Sequence, residues 1–188
     1  MKDRQRQPDL RRRGFVRRAA VLAFGGLAAR PALANISSAH AGERALSFYN
    51  THTGEALKAV YWAQGEYVPD SLNEINRILR DHYSGDVTAM APGLLDLAHA
   101  LRRALDSDAP VHIISGYRSP QTNAMLAARS GGVARHSMHL EGAALDLRVP
   151  GRDLKDVHRA ALALHGGGVG YYARSDFVHI DIGRVRRW

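Results

Sequence analysis

Alternation of apolar and polar residues sets out the start of the readable chain. Leu46, Phe48 and Asn50 alternate with Ser47 and Tyr49, Thr53-Gly54 supplies a turn, and Leu57, Ala59 and Tyr61 alternate after it. Arg44 to Trp62 therefore predicts a β-hairpin. The period then changes. Leu72, Ile75, Ile78 and Leu79 recur at helical spacing behind Asp70 or Ser71 as a cap, and Leu94, Leu97, Ala98, Leu101 and Leu105 follow Pro92 in the same way. Val111 to Ser115 reads as a buried strand. Ser119 as N-cap and Pro120 at the first helical position open a short helix that Ser130-Gly131-Gly132 stops. Asp153 caps a helix bearing Leu154, Val157, Ala161 and Leu164, which Gly166-Gly167-Gly168 breaks. Val169 to Tyr172 and Phe177 to Ile182 read as two further strands around a turn at Arg174-Ser175. No internal repeat is present. A hairpin, a helix pair, then strands mixed with helices predict an α+β fold with a small central antiparallel sheet flanked by helices.

Two of the strands carry more than packing. In the first, Leu145, Leu147 and Val149 share one face, which leaves Ala144, Asp146 and Arg148 on the other. In the second, Val178, Ile180 and Ile182 share a face and leave His179 and Asp181 opposite. An unpaired carboxylate among apolar neighbours is costly, so Asp146 needs a partner. His139, seven residues earlier, and a metal together would be one; a surface pair or a core hydrogen bond would be another. Two His and one Asp, with one position left for water, make a sensible catalytic zinc set. The other histidines carry less. His136 is a loop residue near this cluster, His112 sits in an apolar strand, and His40, His52, His82, His99, His158 and His165 follow no pattern.

Charge changes the picture only at the N-terminus. The chain has 188 residues, enough for one domain with a core, and a net charge of +8. Residues 1–34 hold nine Lys/Arg against two Asp/Glu, a net of +7, which leaves +1 for residues 35–188. The basic character thus says little about a partner of the folded domain, and a nucleic-acid role loses its support. Arg12-Arg13-Gly14-Phe15-Val16-Arg17 resembles the twin-arginine consensus, an apolar run spans Ala19 to Ala29, and Ala32-Leu33-Ala34 offers an Ala-x-Ala cleavage site. Residues 1–34 are therefore expected to be a twin-arginine-type signal, residues 35–44 a linker and residues 45–188 the domain, exported to the periplasm. The apolar run is short for a membrane span, and an uncleaved anchor is the alternative. There is no cysteine, so a zinc site would rely on His and carboxylate ligands. The missing Cys pair also removes a zinc-deaminase reading of His139-Leu140-Glu141. Gly166-Gly167-Gly168-Val169-Gly170 follows a helix rather than a strand, so it is not a phosphate loop.

The combined motifs resemble a known group. Ser115-Gly116-Tyr117-Arg118-Ser119, then Ser-x-His-x-x-Gly-x-Ala-x-Asp from Ser137 to Asp146, then Asp-Phe-Val-His-Ile-Asp from Asp176 to Asp181 are similar to the zinc peptidases of D-alanyl-D-alanine type. That group takes in VanX-like dipeptidases, phage endolysins and hedgehog-like domains, and the resemblance is to its MepK/YcbK-like murein endopeptidase branch, from about Ala45 to Trp188. It implies a hedgehog-like fold and Zn²⁺ held by His139, Asp146 and His179. It implies that Asp176 is the general base and that Arg118 binds the developing oxyanion or a substrate carboxylate. Ser137 would bind substrate, or serve as a turn hydroxyl. Asp181 would orient a ligand imidazole, or be a solvated strand residue. Offset three in a regular strand would aim Asp176 and His179 to opposite faces, so the role of Asp176 requires a break before Phe177. The function implied is hydrolysis of peptide cross-links in the bacterial cell wall. The alternatives are a D,D-carboxypeptidase and a zinc-stabilised wall-binding domain without hydrolysis. The expected partner is peptidoglycan peptide, with no nucleic acid and no stable membrane span once the signal is cleaved, and the expected state is a monomer.

Overall fold

The computed structural model describes residues 42–129, 134 and 136–188. The segment 1–34 read as an export signal, and most of the linker, lie outside the described residues. The elements are β1 (Arg44–Asn50), β2 (Ala56–Ala63), β3 (Glu66–Tyr67), α1 (Pro69–Ile78), α2 (Pro92–Ala104), β4 (Val111–Ser115), α3 (Pro120–Arg129), β5 (Ala144–Arg148), α4 (Leu154–Leu164), β6 (Gly168–Tyr172), β7 (Phe177–Asp181) and β8 (Arg186–Arg187). Two short 3₁₀ turns, Met138–Glu141 and Ala173–Ser175, precede β5 and β7.

The α+β class is borne out, and the sheet is larger than the small antiparallel one expected. Eight strands form one sheet in the order β3-β2-β1-β4-β5-β7-β6-β8. The hairpin β1–β2 belongs to it, because the chain leaves β2, runs through α1 and α2, and returns as β4 parallel to β1. A crossover through helices is the connection that permits a parallel pair. The pairs β4–β5, β5–β7 and β7–β6 are antiparallel. The short β8, which no alternation in the sequence announced, adds parallel to β6.

Helix limits follow local chemistry. Pro69 occupies the start of α1 with Val68 at the N-cap, so the helix opens before Asp70 and Ser71, the caps expected. The fixed φ of proline is pre-set for this position and its missing N–H is no loss there. Asp153 caps α4 as expected, accepting from the Lys155 N–H. One continuous core joins Leu46, Phe48, Ile75, Leu94, Leu145 and Ile180, all fully or almost fully buried. The polar residues of β5 and β7 are thereby left on the face away from this core.

The loop after α1 braces the turn before α3. The buried Asp81 carboxylate accepts from the Ser119 N–H at 2.8 Å and the Tyr83 N–H at 2.9 Å, and the Leu79 carbonyl accepts from the Tyr117 N–H at 2.8 Å. His82 stacks on His52 at 3.8 Å between ring centroids, and burial together with that neighbour pushes its pKa down to about 4. An unfolded histidine titrates near about 6.5, so between the two values the unfolded chain binds the extra proton and stability rises with pH. His99 and His112, lowered chiefly by burial, act with the same sign. The thermal midpoint of the metal-free protein is therefore expected to fall between about pH 6.5 and pH 4. Replacing His82 by Gln should reduce that fall, as pH-dependent thermal denaturation would measure.

Candidate metal centre

Sheet register assembles the site. Ser115, Asp146, His179 and Gly170 face one another in a single row across β4, β5, β7 and β6. A register shift between Ile113 and Ser115 brings Ser115 opposite Asp146. Bulges of this kind re-aim side chains beside functional sites. His139 comes from outside the sheet, on the 3₁₀ turn Met138–Glu141. Ser137 caps that turn through its Oγ, and Gly142 closes it at φ 63°. A Cβ at Gly142 would lie 2.7 Å from the Ala89 carbonyl oxygen, which together with the positive φ explains the glycine.

The three expected ligands converge. His139 Nε2 lies 3.2 Å from Asp146 Oδ1 and 3.2 Å from His179 Nδ1, and His179 Nδ1 lies 2.8 Å from Asp146 Oδ1. All three residues are buried. An ion binding tetrahedrally at about 2.0–2.1 Å separates its ligands by about 3.3–3.4 Å, so the observed triangle fits one with small adjustment. Their protons are accounted for elsewhere. His139 Nδ1 donates to the Gly116 carbonyl at 2.6 Å, and His179 Nε2 donates to Asp181 Oδ2 at 2.9 Å. Each ring then turns a bare nitrogen toward a carboxylate oxygen. Three acceptors so close need a cation or a proton between them.

Electrostatics agree with that reading. Burial pushes the Asp146 carboxyl up, but His139, His179 and Arg118 outweigh it and hold it well below the usual carboxylate range. Burial lowers the pKa of His139 and so disfavours its charged form. Burial also opposes the charge on His179, yet Asp146 and Asp181 prevail and raise it.

A cavity of about 330 Å³ opens on this cluster, and Arg118, Ser137, His139, Asp146 and His179 all line it. Arg118 pairs with Asp146 Oδ2 and donates from Nε to Ser115 Oγ at 2.9 Å. Ser137 therefore has both places expected of it, a turn hydroxyl and a cavity wall. Asp181 is the buried alternative of its two readings. It accepts from His179, from the Gly168 and Gly183 N–H groups and from Arg186.

Asp176 is placed differently. The required break exists, since the turn Ala173–Ser175 ends at Asp176 with φ 52° and β7 starts only at Phe177. In that left-handed conformation, which Asp tolerates, the residue escapes strand alternation. Yet its neighbours Ser175 and Phe177 line the cavity and Asp176 does not. Its carboxylate accepts from Arg148 Nη1 at 2.8 Å, with the side chain 63% exposed. Arg148 lies two residues beyond Asp146 and so on the same face of β5. Two further cavity residues, Arg186 and Trp188, escaped the sequence reading. No alternation of apolar and polar residues marks Val185 to Trp188; the pairing of β8 with β6 is what sets the segment beside the site.

A family model described as peptidoglycan L,D-endopeptidase MepK matches residues 38–188. The chain is 41% identical over 177 residues to the peptidoglycan L,D-endopeptidase MepK of Escherichia coli (strain K12), covering 91% of this chain and 96% of that protein. The Shigella flexneri protein of the same name gives the same figures. A Haemophilus influenzae protein named "Probable peptidoglycan L,D-endopeptidase MepK" is 38% identical over 146 residues, covering 77% of this chain and 78% of that one. No solved structure matches. By the extent of the family match and by these identities, the chain belongs to the MepK family of peptidoglycan L,D-endopeptidases.

Proposed function

We propose that this protein is a zinc-dependent endopeptidase that hydrolyses peptide cross-links of peptidoglycan, with His139, Asp146 and His179 as the zinc ligands. The observation that carries the reading is the triangle of two imidazole nitrogens and a carboxylate oxygen on one cavity. Two imidazoles and one carboxylate leave a position open, as catalytic zinc sites do. When bound, the ion activates water for attack and polarises the scissile carbonyl.

The chain's own groups do the rest. Asp181 fixes the His179 ring so that Nδ1 faces the site, and the Gly116 carbonyl does the same for His139. Arg118, steadied by Ser115, presents its guanidinium to the oxygen that gains charge. Asp176 takes the proton of the attacking water on its carboxylate and gives it to the leaving amine. To do so it leaves Arg148, and an ion pair between two exposed side chains is weakly held. The other carboxylates considered serve less well: Asp181 is fully committed, and Glu141 is outside the cavity lining. Ser137 contacts the bound peptide. The relatives named L,D-endopeptidases favour a bond between an L and a D centre. Such a substrate lies outside the cytoplasm, in keeping with residues 1–34 as a twin-arginine-type signal. Among the described residues, no helix is long and apolar enough to cross a membrane.

Purified protein incubated with defined muropeptides tests this. L,D-cross-linked dimers are expected to yield monomers. Release of free D-alanine from uncross-linked peptides, with dimers untouched, would point instead to a D,D-carboxypeptidase. The position of Asp176 on Arg148 favours the second reading, a wall-binding domain without hydrolysis. Saturable binding of dimers with no cleavage would support it.

A further inference from the structure

The row of facing residues that builds the metal centre ends at Gly170, opposite His179. No side chain stands there, and the Trp188 indole fills the space. A Cβ at Gly170 would come within 2.7 Å of the ring. The indole is fixed from several directions. The Trp188 N–H donates to the Val169 carbonyl at 3.2 Å, and its own carbonyl accepts from the Tyr171 N–H at 3.1 Å. Its Nε1 donates to the Tyr172 hydroxyl at 2.8 Å, and the Arg186 guanidinium lies 4.9 Å from the ring centroid. The ring sits 5.2 Å from the His179 imidazole, lines the cavity and remains 49% exposed. An indole held this firmly, in a half-exposed residue beside three buried polar side chains, is a preorganised apolar wall. Aromatic faces of this kind supply contact area at little entropic cost.

We propose that Trp188 is a specificity-determining residue whose indole packs against the aliphatic part of the peptide residue flanking the scissile bond. The proposal rests on the reading of this cavity as a peptide-binding site. Arg186 is not the recognition group, because its guanidinium is spent on Asp181. The segment Arg186–Trp188 thus has two tasks: Arg186 steadies the partner of His179, and Trp188 shapes what lies next to it.

Trp62 and Trp188 are the only tryptophans of the sequence, and Trp62 lies on β2 toward the opposite end of the sheet. Trp62→Phe therefore leaves Trp188 as the sole indole emitter. Titrating metal-free Trp62→Phe protein with a purified L,D-cross-linked muropeptide dimer is expected to change its emission saturably. In zinc-loaded protein, Trp188→Ala should raise KM for the dimer about tenfold and change kcat little, a truncation effect usual for an aromatic contact residue. Trp188→Phe should recover most of the loss, and Gly170→Ala, which displaces the ring without removing it, should raise KM as well. Zinc content should be unchanged in all three variants. An unchanged KM in Trp188→Ala together with no emission change would overturn the proposal. Absence of cleavage with a saturable emission change would keep the wall and remove the hydrolase reading. Absence of both would remove both.

Discussion

His179→Ala is expected to abolish cleavage and to strip the metal while leaving the fold intact. The fold survives because the carboxylates on either side keep other partners. Asp146 retains Arg118, and Asp181 retains Arg186 and the N–H groups of Gly168 and Gly183. Metal affinity is not expected to survive, since one of the three proposed ligands is gone. Losing a group that merely orients a ligand costs about 10–100-fold in affinity, so losing the ligand itself should cost more than about 100-fold. Asp181→Asn is the companion variant and should fall within that smaller range. Zinc content after dialysis, circular dichroism and cleavage rate measured together distinguish the two. Full zinc occupancy in His179→Ala would remove His179 from the ligand set.

Asp176→Asn is expected to keep zinc and lose rate. Among the described residues its carboxylate pairs with Arg148, not with any of the three proposed ligands, and that pair is exposed. Loss of a general base costs typically about 10²–10⁴-fold in rate. The substitution keeps the shape of the side chain and a residue tolerant of the left-handed backbone found there. KM should move little. Full activity in Asp176→Asn would transfer the base to another group, and loss of zinc would show that Asp176 supports a ligand.

How far the site was legible depended on the range of the interaction concerned. Alternation in β5 and β7 set Asp146 and His179 on the non-core face, and the motif Ser137 to Asp146 added His139. Those are local patterns, and the structure brings the three atoms together. The partner of Asp181 was legible as one of two options, because a polar residue on a strand's outer face is either solvated or paired, and only burial decides. The Arg148–Asp176 pair was not legible. It depends on the left-handed turn at Asp176 and on Arg148 of another strand reaching it. The parallel pairings β1–β4 and β6–β8 were hidden for the same reason: no periodicity within a segment names the strand it will meet. Trp188 became meaningful only once β8 placed it over Gly170, two residues that are distant in sequence.

The central claim is that a zinc ion on His139, Asp146 and His179 drives hydrolysis of a peptidoglycan cross-link. The most direct measurement follows the cleavage of purified L,D-cross-linked muropeptide dimers by protein stripped with a chelator and titrated back with Zn²⁺. The account predicts no cleavage in the stripped protein and recovery that reaches its maximum at one zinc per chain, with His139→Ala failing to recover at any ratio. Cleavage that persists undiminished in fully stripped protein, or zinc-saturated protein that leaves every dimer intact, would contradict it.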